Sequence, residues 1–262
     1  MSELPKTYLC KKIERPLQLD GFISDPLWAN ADWSDDFEDI TGDPALKPRF
    51  KTRVKMLWCD DYFYIAAEME EPHVWGTITK KNEIMFNDND FEVFIDPDGD
   101  SRDYYEFEMN ALNTIWELSL PVPYSEGGVP VLGCNLNGLI SKVGVRGKLN
   151  DPSSEDEGWC VEIAFPWKEL EKYNPNRATP PAKEDIWRVN FSRVQWKHEV
   201  VDGDYVRVPP HGTDLTSGLL NPEDQQHPED NWVWSPQGVV NMHIPDRWGK
   251  VCFIECGENR RF

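Results

Sequence analysis

Several common signatures of catalysis are missing from this chain. It has no G-x-S-x-G, no Gly-rich phosphate loop and no Cys/His signature, so neither nucleophilic catalysis nor nucleotide binding has local support. The five His, at 73, 198, 211, 227 and 243, never take the spacing of a zinc site on one helix or strand, which argues against a catalytic zinc. The six Cys, at 10, 59, 134, 160, 252 and 256, contain no CxxC pair and no repeated spacing. In a chain of 262 residues they read as buried reduced thiols rather than a disulfide scaffold. No window approaches about 18 consecutive apolar residues, and the start MSELPKTYLCKKIERPLQLDG lacks a basic segment leading into an apolar one. The expectation is a cytoplasmic protein as the chain stands, or a secreted one if a leader has been removed.

Positive charge is scarce. Lys and Arg number 27 against 47 Asp and Glu, a net charge of −20 spread along the chain. Phosphate backbones and anionic lipid are bound by clustered cations, so nucleic acid and membrane surfaces are excluded as expected partners. A neutral ligand or a cation fits this field better. Aromatic residues are plentiful, with 12 Trp, 12 Phe and 8 Tyr, enough to build a core and leave rings at the surface.

Long amphipathic helices are also missing, which disfavours a parallel sheet of alternating strands and helices. Period-two alternation is frequent instead. Phe63, Ile65 and Ala67 alternate with Tyr62, Tyr64 and Ala66; Phe91, Val93 and Ile95 with Glu92 and Phe94; Phe107 and Met109 with Glu108 and Asn110. Further strands are expected at Trp159 to Phe165, at Arg188 to Ser192 and over 249–255. DPLWANA (25–31) and PWKELEKY (166–173) are the expected short helices, the first capped by Asp25 with Pro26 at its first position. The fold expected is all-β, an antiparallel β-sandwich of immunoglobulin-like or jelly-roll-like type, with 1–262 forming one domain. Two long Pro/Gly-rich segments, 121–130 and 202–231, are expected to be loops that shape a ligand site.

Four constellations carry possible chemistry. The loop DPDGDSRD sets Asp96, Asp98, Asp100 and Asp103 around a Gly, an oxygen-rich pattern that suits Ca²⁺, although the same residues make an ordinary hairpin turn. Glu92 and Glu108 share the outer face of adjacent strands, where two carboxylates could act as acid and base on a glycoside or accept hydrogen bonds from sugar hydroxyls. Asn110 and Asn190 share the polar parity of their strands. Trp116 and Trp196 follow in the same phase, and flat rings of this kind stack on the apolar faces of sugars. For any single Trp a place in the core is the default, and Trp28, Trp58, Trp159 and Trp187 are assigned to packing.

Taken in order, LDGFISDPLWANA, CDDYFYIAAEM, NDNDFEVFIDPDGD, YYEFEMNALNT, EIAFPWKEL and WVWSPQGVVNMHIPDRWGKVCF resemble the family 9 carbohydrate-binding modules and their relatives in the DOMON superfamily, from about residue 17 to 256. The resemblance implies a β-sandwich, a sugar held between two aromatic side chains with polar groups on the concave sheet, non-catalytic binding, and structural Ca²⁺ in several members. The family's glutamate falls on Glu92 and its asparagine on Asn110. One aromatic falls on Phe86 and the second near Met242, while a position that can carry Arg is Glu108; Trp116, Trp196, Trp234 and His243 are the candidate replacement contacts. Some DOMON-like relatives hold haem through Met and His, and Met85, Met109, Met242 and His243 are available, but availability alone does not support haem. Carbohydrate binding is the reading; a glycan-processing enzyme using Glu92 and Glu108 is the alternative.

Overall fold

The computed structural model describes residues 5–175, 177–208 and 229–255. Among these described residues fifteen strands dominate: β1 (Thr7–Lys12), β2 (Glu38–Asp39), β3 (Thr52–Trp58), β4 (Tyr62–Glu70), β5 (Asp90–Asp96), β6 (Tyr104–Asn110), β7 (Ile115–Leu120), β8 (Val131–Leu132), β9 (Ile140–Arg146), β10 (Gly158–Pro166), β11 (Ile186–Gln195), β12 (His198–Val201), β13 (Asp204–Arg207), β14 (Asp230–Val233) and β15 (Gly249–Ile254). One α-helical turn, α1 (Trp167–Leu170), follows β10. The DPLW segment forms a 3-10 turn over Pro26–Asn30, with the Asp25 carboxylate accepting from the Leu27 N–H at 2.9 Å.

A 13-stranded sheet runs in the order β8-β7-β6-β5-β11-β15-β1-β3-β4-β10-β9, with β14 and β2 attached beside β11. The expectation of an antiparallel sheet needs correction here. β1 runs parallel to both of its neighbours, β15 and β3, so the sheet is mixed. Hairpins enforce antiparallel pairing, whereas β1 reaches β3 through a long connection that leaves direction free. A second difference lies at 204–207, expected as loop and found as a strand paired with β12. Residues 209–228 of the expected 202–231 loop fall outside the described residues, as do His211, His227 and Cys256, and its last two residues, 230–231, begin β14.

The sheet curls so that strands far apart in its order meet through their inward residues. Phe107 of β6 lies 5.5 Å from Phe165 of β10, and Phe63 of β4 lies 6.4 Å from Trp187 of β11, both centroid to centroid and edge-on. Phe91, Val93, Ile95, Phe107, Met109, Val189 and Phe191 are all fully buried in this core, as alternation requires. Trp234 belongs here too, 5.8 Å from Phe191 and pressed against Gly249, where an added Cβ would fall 2.1 Å from its ring. Among the described Cys, none is in a disulfide, and Cys10, Cys59, Cys160 and Cys252 are buried. No helix among the described residues is long and apolar enough to cross a membrane.

Candidate functional site

The outward face of β5, β6 and β7 meets the segment Val240–His243 around a cavity of about 100 Å³. Register places the site residues. Glu92 lies opposite Glu108, Phe94 opposite Glu106, and Glu108 opposite Trp116, so three neighbouring strands present one file of Glu92, Glu108 and Trp116 beside a second of Phe94, Glu106 and Leu118. All six line the cavity, with Phe86 and Tyr124 from two short 3-10 turns and with Met242 and His243. The Trp248 indole N–H donates to the Met242 carbonyl at 2.7 Å, fixing the loop that carries the last two.

Of the residues expected from sequence, Phe86, Glu92, Glu108, Trp116, Met242 and His243 therefore converge. Four others have different surroundings. The Asn110 amide donates to the Ile78 carbonyl and to Asp88 at 2.8 and 2.9 Å, and its oxygen accepts from the N–H groups of Leu112 and Thr114, closing the turn after β6. Asn190 ties β11 to Ser235 in both directions. Trp196, just past β11, donates its indole N–H to the Phe86 carbonyl at 2.8 Å beneath the Arg207 guanidinium, and so stands behind the cavity wall. Trp234 is core. Trp116 reaches the site by a route different from the expected one: β6 ends at Asn110, and it is the antiparallel return of β7 that sets Trp116 beside Glu108.

Sequence reasoning missed Glu106, Tyr124, Glu229 and Asn231, all in the lining. Glu106 was legible, since it sits two residues before Glu108 and so shares its face. Tyr124, Glu229 and Asn231 come from connections and a short added strand, for which alternation gives no signal.

The electrostatics are lopsided. Glu92, Glu106 and Glu108 are at most 5 % exposed, and Asp90 is fully buried behind them. Oxygens of Asp90, Glu92 and Glu108 all lie within 4.8 Å of one another. Among the described residues no Lys or Arg lines the cavity. Burial pushes the Glu108 carboxyl well up, and the charges of Glu92 and Asp90 add to the shift. Burial likewise raises Glu106, to about 7, against the pull of a hydrogen bond with Glu108. Apart from the contact of the two acids with each other, Glu106 Oε2 and Glu108 Oε2 meet no donor among the described residues. His243 does not balance them: burial lowers its pKa to about 3, Nδ1 is 3.0 Å from the Tyr104 hydroxyl, and Nε2 is 4.0 Å from Glu106.

On the 96–103 loop, oxygens of Asp96, Asp98 and Asp100 also gather within 4.8 Å, and Asp103 stands outside that group. Asp96 is already held: its two oxygens accept from the N–H groups of Gly99 and Ser101 at 3.0 Å, and the Arg188 guanidinium is 3.9 Å away. A cation there would compete with a fixed one, so the donor set fits a weak Ca²⁺ site better than a closed cage.

Residues 19–180 match the family described as carbohydrate family 9 binding domain-like, and the chain belongs to that family. Its fold is similar to that of a candidate carbohydrate-binding protein from Bacteroides uniformis (TM-score 0.62, 16% identity, 95% of this chain and 99% of that one). It is also similar to a family 9 carbohydrate-binding module from Caldicellulosiruptor kristjanssonii, in complex with cellotriose (TM-score 0.57, 14% identity, 98% of each chain) and with glucose (TM-score 0.56, 14% identity, 98% of this chain and 100% of that one). Comparison with curated proteins gave no match.

Proposed function

We propose that the chain is a non-catalytic carbohydrate-binding module, one sandwich-type domain, whose ligand enters the cavity beside β5, β6 and β7. The observation that carries this reading is the pairing of aromatic rings with buried acids on one sheet face. Phe86 and Trp116 stand 6.2 Å apart in tilted contact, and Glu92 and Glu108 lie on the strands beside them. Rings offer stacking area to the C–H faces of a sugar, and carboxyl oxygens meet its hydroxyls. Family membership and the sugar complexes of the structural neighbours support the same ligand class. Ca²⁺ on Asp96, Asp98 and Asp100 is the accessory element of this proposal, a brace for the β5–β6 turn rather than part of the sugar site.

A glycan array followed by calorimetry tests the reading. Trp116→Ala and Glu92→Gln should each weaken the best sugar about tenfold or more, the loss expected for one stacking contact or one unmet buried hydrogen bond. Unchanged affinity in both variants would move the site elsewhere. Turnover of a glycoside that Glu92→Gln and Glu108→Gln abolish while binding persists would establish the acid/base enzyme instead.

A further inference from the structure

A second groove lies on the outward face of β3, β4, β10 and β9, across the core from the first. Val54, Met56, Ala67 and Met69 point into that core, so Arg53, Lys55 and Glu68 between them point out. Register sets Arg53 opposite Glu68 and Glu68 opposite Cys160. Arg146, at the end of β9, reaches back over this file, with Nη1 3.3 Å from Glu68 and Nη2 2.8 Å from Cys160 Sγ. The segment Phe22–Ala29 and Trp33 wall the groove, whose volume of about 360 Å³ falls in the range of about 300–1,000 Å³ usual for small-molecule sites. Phe22 is 50 % exposed and yet held in place, since its ring rests on Gly144, where an added Cβ would fall 2.8 Å from it. The next residue, Ile23, is β-branched and takes φ +60°, a strained conformation of the kind that clusters at ligand clamps.

Charge here is the reverse of that of the whole chain. Arg53 and Lys55 stand 4.3 and 4.6 Å from the centre of the half-buried Trp33 ring, so aromatic surface and positive charge come together. Arg53 and Arg146 share Glu68, each at 3.3 Å, longer than the about 2.7–2.9 Å of a close charge-assisted bond. The Lys55 ammonium donates to the Trp28 carbonyl at 3.3 Å and forms no ion pair among the described residues. Acids nearby are already engaged: Asp25 holds the Arg15 guanidinium through both oxygens, Asp32 pairs with Lys11, and Glu162 accepts from the Trp28 indole N–H. Physiological salt screens exposed charges beyond about 8 Å, so this local surplus outweighs the distant acids. We infer that the groove is a second binding site, for a sugar that carries an anionic group, a carboxylate or a sulfate ester. The sugar ring rests on the carbohydrate reading above; the anion is argued from the groove. Its C–H face packs on Phe22 and Trp33 while its anion meets Lys55 and Arg146, all four of which line the groove.

The test is titration of the full chain, by calorimetry and by NMR of the tryptophan indole N–H signals, with methyl β-D-glucuronide, D-glucose 6-sulfate, methyl β-D-glucoside and sodium acetate. The glucuronide and the glucoside differ only in a carboxylate in place of a hydroxymethyl group. At least one acidic sugar should bind about fivefold or more tightly than the glucoside and shift the Trp33 signal, and the tighter of the two names the anion. That preference should shrink as salt rises, because it is an ion pair, and Lys55→Gln should erase most of it. Equal binding of acidic and neutral sugars overturns the inference; a neutral sugar that still shifts Trp116 leaves the reading of the first cavity standing. Acidic sugars that shift Trp116 and not Trp33 overturn it too. Acetate bound as tightly as either acidic sugar shows a bare anion site and overturns it as well. A Trp33 shift by an acidic sugar, with no shift of Trp116 by any sugar, bears the inference out and removes the first cavity instead. The preference and the shifts are measured on the unaltered protein, so a variant that fails to fold does not remove the test.

Discussion

Two buried glutamates occupy equivalent situations on opposite halves of the sheet and have opposite surroundings. Glu162, in the middle of β10, is fully buried, and its carboxylate accepts from the Trp28 indole N–H at 2.7 Å and from the N–H groups of Asp20 and Gly21 at 2.9 and 2.6 Å. It fastens the LDG and DPLW segments to the outer face of the sheet. Gly21 has to be glycine there: its φ is +89° and a Cβ would fall 2.5 Å from the Val143 carbonyl carbon. Glu108, on β6, is equally dry, but its neighbours are other acids. Burial of charge alone therefore marks nothing; the supply of donors separates a structural carboxylate from a receptive one.

The comparison can be broken or sharpened by substitution. The largest effect is expected at Glu71, which holds the fully buried Arg193 at 3.0 Å. Glu71→Ala strands a guanidinium and should cost about 3–5 kcal/mol in urea unfolding. Glu162→Ala leaves three donors unmet and should cost about 3 kcal/mol by the same measurement. If Glu108→Gln were as damaging as either, the contrast drawn above would fail.

Acidity gives the next test. Glu106 ionises near its ordinary 4.5 when unfolded and near 7 when folded. Between those values the unfolded chain holds fewer protons than the native one, so native stability should fall as pH rises from about 4.5 to about 7 and then level off. The loss is on the order of 3 kcal/mol, and Glu106→Gln should flatten that part of the profile. Glu108→Gln should be neutral or stabilising by about 1 kcal/mol at pH 8, since it removes a repelled acid and keeps the shape. The smallest effect is Ca²⁺ on the 96–103 loop: each kcal/mol of binding energy should raise the melting temperature by about 2–4 °C in a chain of this size. No difference between millimolar Ca²⁺ and excess chelator would identify the loop as a turn held by Asp96 and Arg188.

Much of the fold was legible in the sequence, because alternation is a local signal. The strands around Phe63, Phe91, Phe107, Val161 and Phe191 lie where their periodicity places them, and the faces of Glu92 and Glu108 follow from it. The direction of β1 was not legible, since no turn residue specifies a parallel neighbour nearly the whole chain away. Asn110 and Asn190 share the face of the site and yet bind backbone; alternation gives a side chain's direction, and its partner depends on which loop arrives there. His243 was available from the family pattern, but its setting between Tyr104 and Tyr124 depends on a loop that carries no periodicity.

The place of β15 has a consequence for how the molecule assembles. Between β11 and β1 it is, among the described strands, the one link joining β8-β7-β6-β5-β11 to β1-β3-β4-β10-β9. Each half can zip up largely through near neighbours in sequence, such as β5 with β6 or β3 with β4. The seam between them pairs Thr7 with Lys250, a contact of very high sequence separation and hence slow to form. On the ribosome the two halves would exist side by side, their facing edges open, until residues 249–254 emerge and close them into one sheet.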